Sequence, residues 1–136
     1  KFQTPYLGLC FDAGHANLMA CANADKGEAS IVIRQWAPWG LPVPWDDEVL
    51  DKMLPQIVSC HLHDNMGLDD DNLLPGHGNI DRKTVMKKLA RAPRLQCLHN
   101  EVIAPRGGKH TTIAEMCRIF DELAGMTEMT QKAVEF

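Results

Sequence analysis

The sequence predicts an α/β domain built on a parallel sheet, and three observations carry that prediction. Three short, mainly apolar runs, Tyr6 to Phe11, Gln56 to His63 and Leu95 to Asn100, each end at ionisable or amide side chains. Runs of that length and character suit strands of a buried parallel sheet. Helical segments with recognisable caps separate them, and strands alternating with helices demand crossover connections and parallel pairing. A chain of 136 residues matches the commonest size of a single domain.

The first strand stops at Asp12, and Ala13 to Asn17 turns into a helix carried through Leu18, Met19, Ala20 and Cys21 that frays between Asn23 and Gly27. Residues 28–45 read as an insertion. Ile31-Val32-Ile33 has the character of a short strand, whereas Trp36 to Trp45 holds three prolines and takes no regular structure. Three tryptophans carry too much apolar area to leave in water, so the insertion is expected to pack, as structural cover or as a substrate-site wall or subunit contact. Asp46 caps a helix from Asp47 to Leu54 closed by Pro55.

The second strand opens onto a loop, Met66 to Gly78, crowded with acids, amides and glycines. Asp81 caps the next helix, Arg82 to Ala92, with Val85, Leu89 and Ala92 as its apolar stripe and Lys87, Lys88 and Arg91 toward the end that the helix dipole favours. Pro93 ends it, and the third strand leads to Glu101. A turn follows at Pro105-Arg106-Gly107-Gly108. Thr112 with Glu115 forms a capping box for a helix to about Gly125, its apolar face made of Ile113, Met116, Cys117, Phe120 and Leu123 or Ala124, and a helical tail runs from about Thr127.

Composition narrows the function classes. With 45% apolar and 24% charged residues the chain is an ordinary soluble type, and a net charge of −4 argues against a nucleic-acid surface. Five cysteines, odd in number and without C-x-x-C spacing, point to a reducing, cytoplasmic setting. No run approaches the ~20 apolar residues of a membrane span, and no signal peptide is visible. The abrupt opening, Lys1 to Pro5 running at once into a strand, reads as a cut.

In a parallel sheet all strand carboxyl ends share one rim, so Asp12, His61 and Glu101 are expected to approach one another. Two carboxylates and an imidazole call for a cation, because like charges left alone raise one another's pKa. Oxygen and nitrogen donors without thiolate fit Zn, Mn, Mg or Co. Three protein ligands leave room for a fourth group or water. His63 faces the same way as His61 on an extended strand and is the competing ligand. Taken singly, each of these residues is more often a loop cap than a ligand.

At Phe11-Asp12-Ala13-Gly14-His15-Ala16-Asn17, and at His61-Leu62-His63-Asp64-Asn65 with Leu74-Pro75-Gly76-His77-Gly78-Asn79-Ile80-Asp81, the chain resembles the xylose-isomerase-like TIM-barrel superfamily. That group includes sugar phosphate isomerase/epimerase proteins and apurinic endonucleases of the endonuclease IV type. The pattern is D-x-x-H at one strand end, then H-L-x-D, then G-x-G-x-I-D, then a strand ending in Glu. All four occur in order, and the insertion at about 28–45 departs from it.

The resemblance implies one partial barrel domain over residues 1–136, formed by the last three strands of a TIM-barrel-type fold. It implies Asp12, His61 and Glu101 as ligands of a divalent metal, Glu101 also as an acid/base, and His15 as a catalytic group touching substrate or a second metal. His63, Asp64, Asp70 and Asn72 would line the substrate. A bridging glutamate from a preceding strand, part of the family's site, has no counterpart. A complete barrel takes roughly 250 residues, so the chain is expected to be a fragment, a truncated gene product or part of an assembly. Self-association, or an N-terminal half-barrel supplied from elsewhere, would complete it.

The implied function is metal-dependent isomerisation or epimerisation of a small carbohydrate by proton transfer through an enediolate, the isolated chain being inactive. An apurinic endonuclease-like phosphodiesterase is the enzymatic alternative. Its extra zinc would need an aspartate and a histidine where this chain has Asp70 and Asn72, and Asn is a poor zinc ligand. An inactive remnant or assembly subunit is the non-enzymatic alternative.

Overall fold

Three parallel strands, β1 (Leu9–Asp12), β2 (Ile57–Leu62) and β3 (Cys97–Asn100), pair in the order in which they occur. A computed structural model describes residue 4 and residues 6–103 and 111–132, with backbone alone for 127–132. The register sets Phe11 beside Cys60 and Asp12 beside His61, and extends these rows to Leu98 and His99. Side chains alternate across a sheet. The row Phe11, Cys60, Leu98 therefore turns to one face, and the rows Cys10, Ser59, Cys97 and Asp12, His61, His99 to the other.

The first face carries the core. Phe11, Cys60 and Leu62 are buried together with Leu50, Met86, Leu89, Ile119 and Leu123, which come from α3 (Val49–Met53), α4 (Arg82–Leu89) and α5 (Ile113–Lys132). Burial pushes the Cys60 thiol well above its ordinary range, so it acts as a small hydrophobe. On the other face Cys10, Cys97 and His99 are exposed. Among the described residues, no helix is long and apolar enough to cross a membrane.

Several elements differ from the sequence reading. β1 begins at Leu9, because its partner Ile57 is where β2 begins; Tyr6 and Leu7 have no described strand beside them and are exposed. α1 (Ala13–Leu18) ends early. Ala20 is extended, the Asn23 amide takes the Asn17 carbonyl at 2.8 Å, and the Cys21 N–H turns to the Asp47 carboxylate at 2.9 Å. These side chains occupy backbone groups that a longer helix would use.

Ile31-Val32-Ile33, with its strand character, is helical instead and opens α2 (Ile31–Trp36). Among the described residues no strand pairs with it; the Ile31 N–H donates to the Leu68 carbonyl at 2.7 Å and Val32 is buried, so tertiary context overrides β-branched preference. The insertion packs only in part. Trp36 and Trp45 are half-buried, but Trp39 is 75% exposed.

α3 starts at Val49 rather than Asp47, although Asp46 still accepts the Glu48 N–H at 2.8 Å. Asp81 caps α4 as expected, accepting from the Thr84 N–H at 3.2 Å and its hydroxyl at 2.7 Å. Met86, outside the expected stripe, is buried there beside Leu89. In α5 the Thr112 hydroxyl accepts the Glu115 N–H at 3.1 Å. Its buried face runs through Ile119 and Leu123, flanked by Met116 and Phe120; Ile113 and Cys117 are exposed. The expected tail is part of this same helix, and the turn at Pro105 to Gly108 lies outside the described residues.

Two outcomes follow. Leu123 is 1% exposed in the core, so Leu123→Ala should lower unfolding free energy in urea by about 2–5 kcal/mol, while Trp39→Ser stays within about 0.5 kcal/mol of the parent. The outer edges of β1 and β3 pair with no described strand, and open edges recruit other strands. Light scattering should therefore give a mass above the 15.2 kDa monomer that grows with concentration; a monomer at high concentration would refute this.

Candidate metal centre

Parallel pairing in register brings the three strand ends to one rim. Asp12 closes β1 opposite His61 of β2, and Glu101 follows directly after β3. One donor atom each from Asp12, His61 and Glu101 lies within 4.8 Å of the others. His61 Nδ1 stands 3.0 Å from Glu101 Oε2 and 3.8 Å from Asp12 Oδ2. This oxygen, nitrogen, oxygen set fits a divalent cation and leaves further positions open.

Asp12 is the hub. It caps α1 by accepting the His15 N–H at 2.8 Å, its Oδ2 lies 2.9 Å from His15 Nδ1, and its Oδ1 lies 3.0 Å from His63 Nε2. Burial disfavours its charge, but the hydrogen bond from His63, the His15 N–H and the positive charge of the two imidazoles outweigh it and bring the carboxyl from 3.8 to about 2. His63 is pushed in the opposite sense by the same pairing. Desolvation opposes its charge, yet the Asp12 hydrogen bond and the charges of Asp12, Asp70 and Glu101 raise it above 6.5.

The two competing histidines separate by position. His61 is partly exposed at the rim, whereas the His63 side chain is fully enclosed. Its ring packs against Gly14, where even a methyl group would overlap it. Behind the opening, His63 holds Asp12 in orientation through its 3.0 Å contact with Oδ1.

The residues expected to line a substrate fall into two groups. His15 is exposed, with its Nε2 3.3 Å from Asp70, which is partly exposed beside it. His63, Asp64 and Asn72 are buried and face the framework rather than the opening. Asp64 accepts the N–H groups of Asn65 at 2.9 Å, Gly76 at 2.8 Å and Ile80 at 3.2 Å. Gly78 is required here because any side chain would strike Asp64 and the Asn65 carbonyl. Asn72, with a left-handed φ of 49° that Asn tolerates, donates to the Glu101 carbonyl at 3.1 Å and so fixes the backbone at Glu101.

Sequence reasoning passed over an amide cluster. Asn17 donates to Asn65 at 2.8 Å and Asn79 at 2.7 Å, and Asn65 donates to the Gly14 carbonyl at 2.9 Å. Asn17 follows two residues after His15, and Asn65 directly follows Asp64. That adjacency was the available signal. His99, also overlooked, meets His61 edge to face with ring centroids 5.6 Å apart.

The pairing of Asp12 with His63 gives the metal-free chain a stability maximum. Ionised Asp12 stabilises the fold above its ordinary 3.8, and about 2 kcal/mol should be lost as pH falls toward 2. The His63 contribution is full below 6.5 and is lost as pH rises through its elevated folded value. Urea midpoints measured across pH should therefore peak between about 4 and 6.5, and Asp12→Asn should flatten both limbs.

No family model matches the chain. A stretch of 90 residues, 66% of this chain, is 27% identical to "Uncharacterized protein y4fM" of Sinorhizobium fredii (strain NBRC 101917 / NGR234) and covers 22% of that protein. Among solved structures, a D-tagatose 3-epimerase-like protein superposes with a TM-score of 0.57 at 23% identity, over 98% of this chain and 39% of that one. Nearly all of this chain thus shares its fold with little more than a third of that larger molecule.

Proposed function

We propose that this chain supplies part of the active site of a metal-dependent isomerase or epimerase acting on a sugar or sugar derivative. The observation that carries the reading is the meeting of Asp12, His61 and Glu101 at one strand-end rim. The fold shared with a D-tagatose 3-epimerase-like protein supports it. It also supports a partial barrel, completed by a further segment or a second subunit.

Asp12, His61 and Glu101 would hold a divalent cation (Mn, Zn, Mg or Co), with His63 orienting Asp12 from behind. A bound cation of this kind polarises a carbonyl and its neighbouring hydroxyl, which acidifies the α-carbon proton. Glu101 serves as acid/base as well as ligand: its half-exposed carboxylate removes that proton and leaves an enediolate. His15, steadied between Asp12 and Asp70, donates to a substrate oxygen. Asp64 and Asn72 act through the loop they hold, and Asp70 borders the substrate itself. Reprotonation on the other face falls to a carboxylate from outside this chain, so the isolated chain turns over no sugar.

Calorimetric titration with Mn2+ tests the assignment without needing turnover. His61→Ala and Glu101→Ala should abolish binding, and His63→Ala should weaken it by about 10–100-fold, the range for groups that orient a ligand. Complete loss in His63→Ala with retention in His61→Ala would transfer the ligand role. No divalent affinity in the parent chain would leave the sheet as an inactive remnant or an assembly subunit.

A further inference from the structure

The insertion at 28–45 builds one wall of a pocket that opens directly beside the candidate centre. The pocket, about 190 Å³, lies between α1 and α2. Leu18 and Met19 form one side; Ile31, Val32 and Trp36 form the other. Polar groups occur at its margin, where His15 and Asp70 meet at 3.3 Å and Gln35 stands exposed. His15 also touches Asp12, so the pocket and the metal ligands share an edge.

This wall is fastened to the loop between β2 and α4. The Ile31 N–H donates to the Leu68 carbonyl at 2.7 Å. Arg34 pairs with Asp69 and donates to the carbonyls of Glu28 at 2.7 Å and Ala29 at 3.0 Å. Asp69 precedes Asp70, so α2 and the pocket margin are held by adjacent residues. The insertion is thereby committed to a fixed place next to the opening.

We infer that this pocket selects the substrate: it receives an apolar substituent, an aryl or short branched alkyl group, carried by the sugar derivative whose oxygens meet the metal. The inference rests on the isomerase reading for the sugar and on the pocket alone for the substituent. A bare polyol is the wrong occupant, because hydroxyls placed against Leu18, Met19, Ile31, Val32 and Trp36 lose water without gaining partners. Size agrees, since a cavity of roughly 150 Å³ admits a benzene ring.

The test compares phenyl β-D-glucopyranoside with methyl β-D-glucopyranoside as probes of the 136-residue chain, by equilibrium titration with and without Mn2+. The phenyl probe should bind about tenfold more tightly, the scale set by burying one small apolar group. Gln35→Phe and Met19→Phe, which fill the pocket from its margin and from the opposite wall, should each bring the two probes to parity; unchanged melting profiles verify their folding. Equal affinities in the parent chain, no binding of either probe, or a preference that survives both variants would overturn the inference. The separate Mn2+ titration keeps the two readings apart: phenyl preference without Mn2+ affinity supports the pocket while removing the isomerase reading.

Discussion

The Asp64 carboxylate governs the rest of the site without reaching it. It is 1% exposed and is answered by backbone N–H groups of Asn65, Gly76 and Ile80, drawn from both ends of its loop. A buried anion left without donors is costly to maintain, on the order of several kcal/mol, so the loop has little freedom to close any other way. Asn72 then lies where it can hold the Glu101 backbone, and Asp70 where it meets His15. Glu101, directly after β3, and the exposed His15 on α1 are registered to each other through this one group.

Asp12 is held from several sides at once. Three imidazoles surround its carboxylate, His15 at 2.9 Å, His63 at 3.0 Å and His61 at 3.8 Å. A proton on His63 and a cation are alternative sources of positive charge beside it, and metal binding releases protons wherever ligands must be neutral or anionic. The enclosed His63 is shielded from direct exchange with a ligand, whereas His61 and His15 face the opening. One carboxylate thus joins the structural and the chemical halves of the cluster.

Much of this was legible because backbone rules leave strong marks. Three apolar runs that end in Asp12, near His61 and at Glu101 announced parallel strands and a common rim, and Asp81 announced its helix by capping. The pattern failed where long-range contacts decided. Ile31-Val32-Ile33 carries strand-forming side chains, yet the nearest group for the Ile31 N–H is the Leu68 carbonyl, a partner invisible to local periodicity. The α5 stripe was misread by a rotation because Met116, Ile119, Phe120 and Leu123 outweigh the equally periodic Ile113 and Cys117 only once α4 packs beside them. His63 and Asp64 read as substrate groups since polarity is visible in a sequence and burial is not.

The two crossovers of the sheet differ in length, and that difference shows what the insertion costs the chain. Leu9 meets Ile57 across the insertion, whereas Ser59 meets Cys97 across the loop and α4. Closing the longer connection costs only about 0.2 kcal/mol more in chain entropy, since that cost grows with the logarithm of length. The extra segment is therefore nearly free for the native state. A difference of about 0.2 kcal/mol is only ~1.4-fold in an equilibrium constant, so chain closure favours neither pairing of β2 over the other. The insertion that walls the pocket therefore adds surface beside the site at almost no cost in holding the strand that carries Asp12.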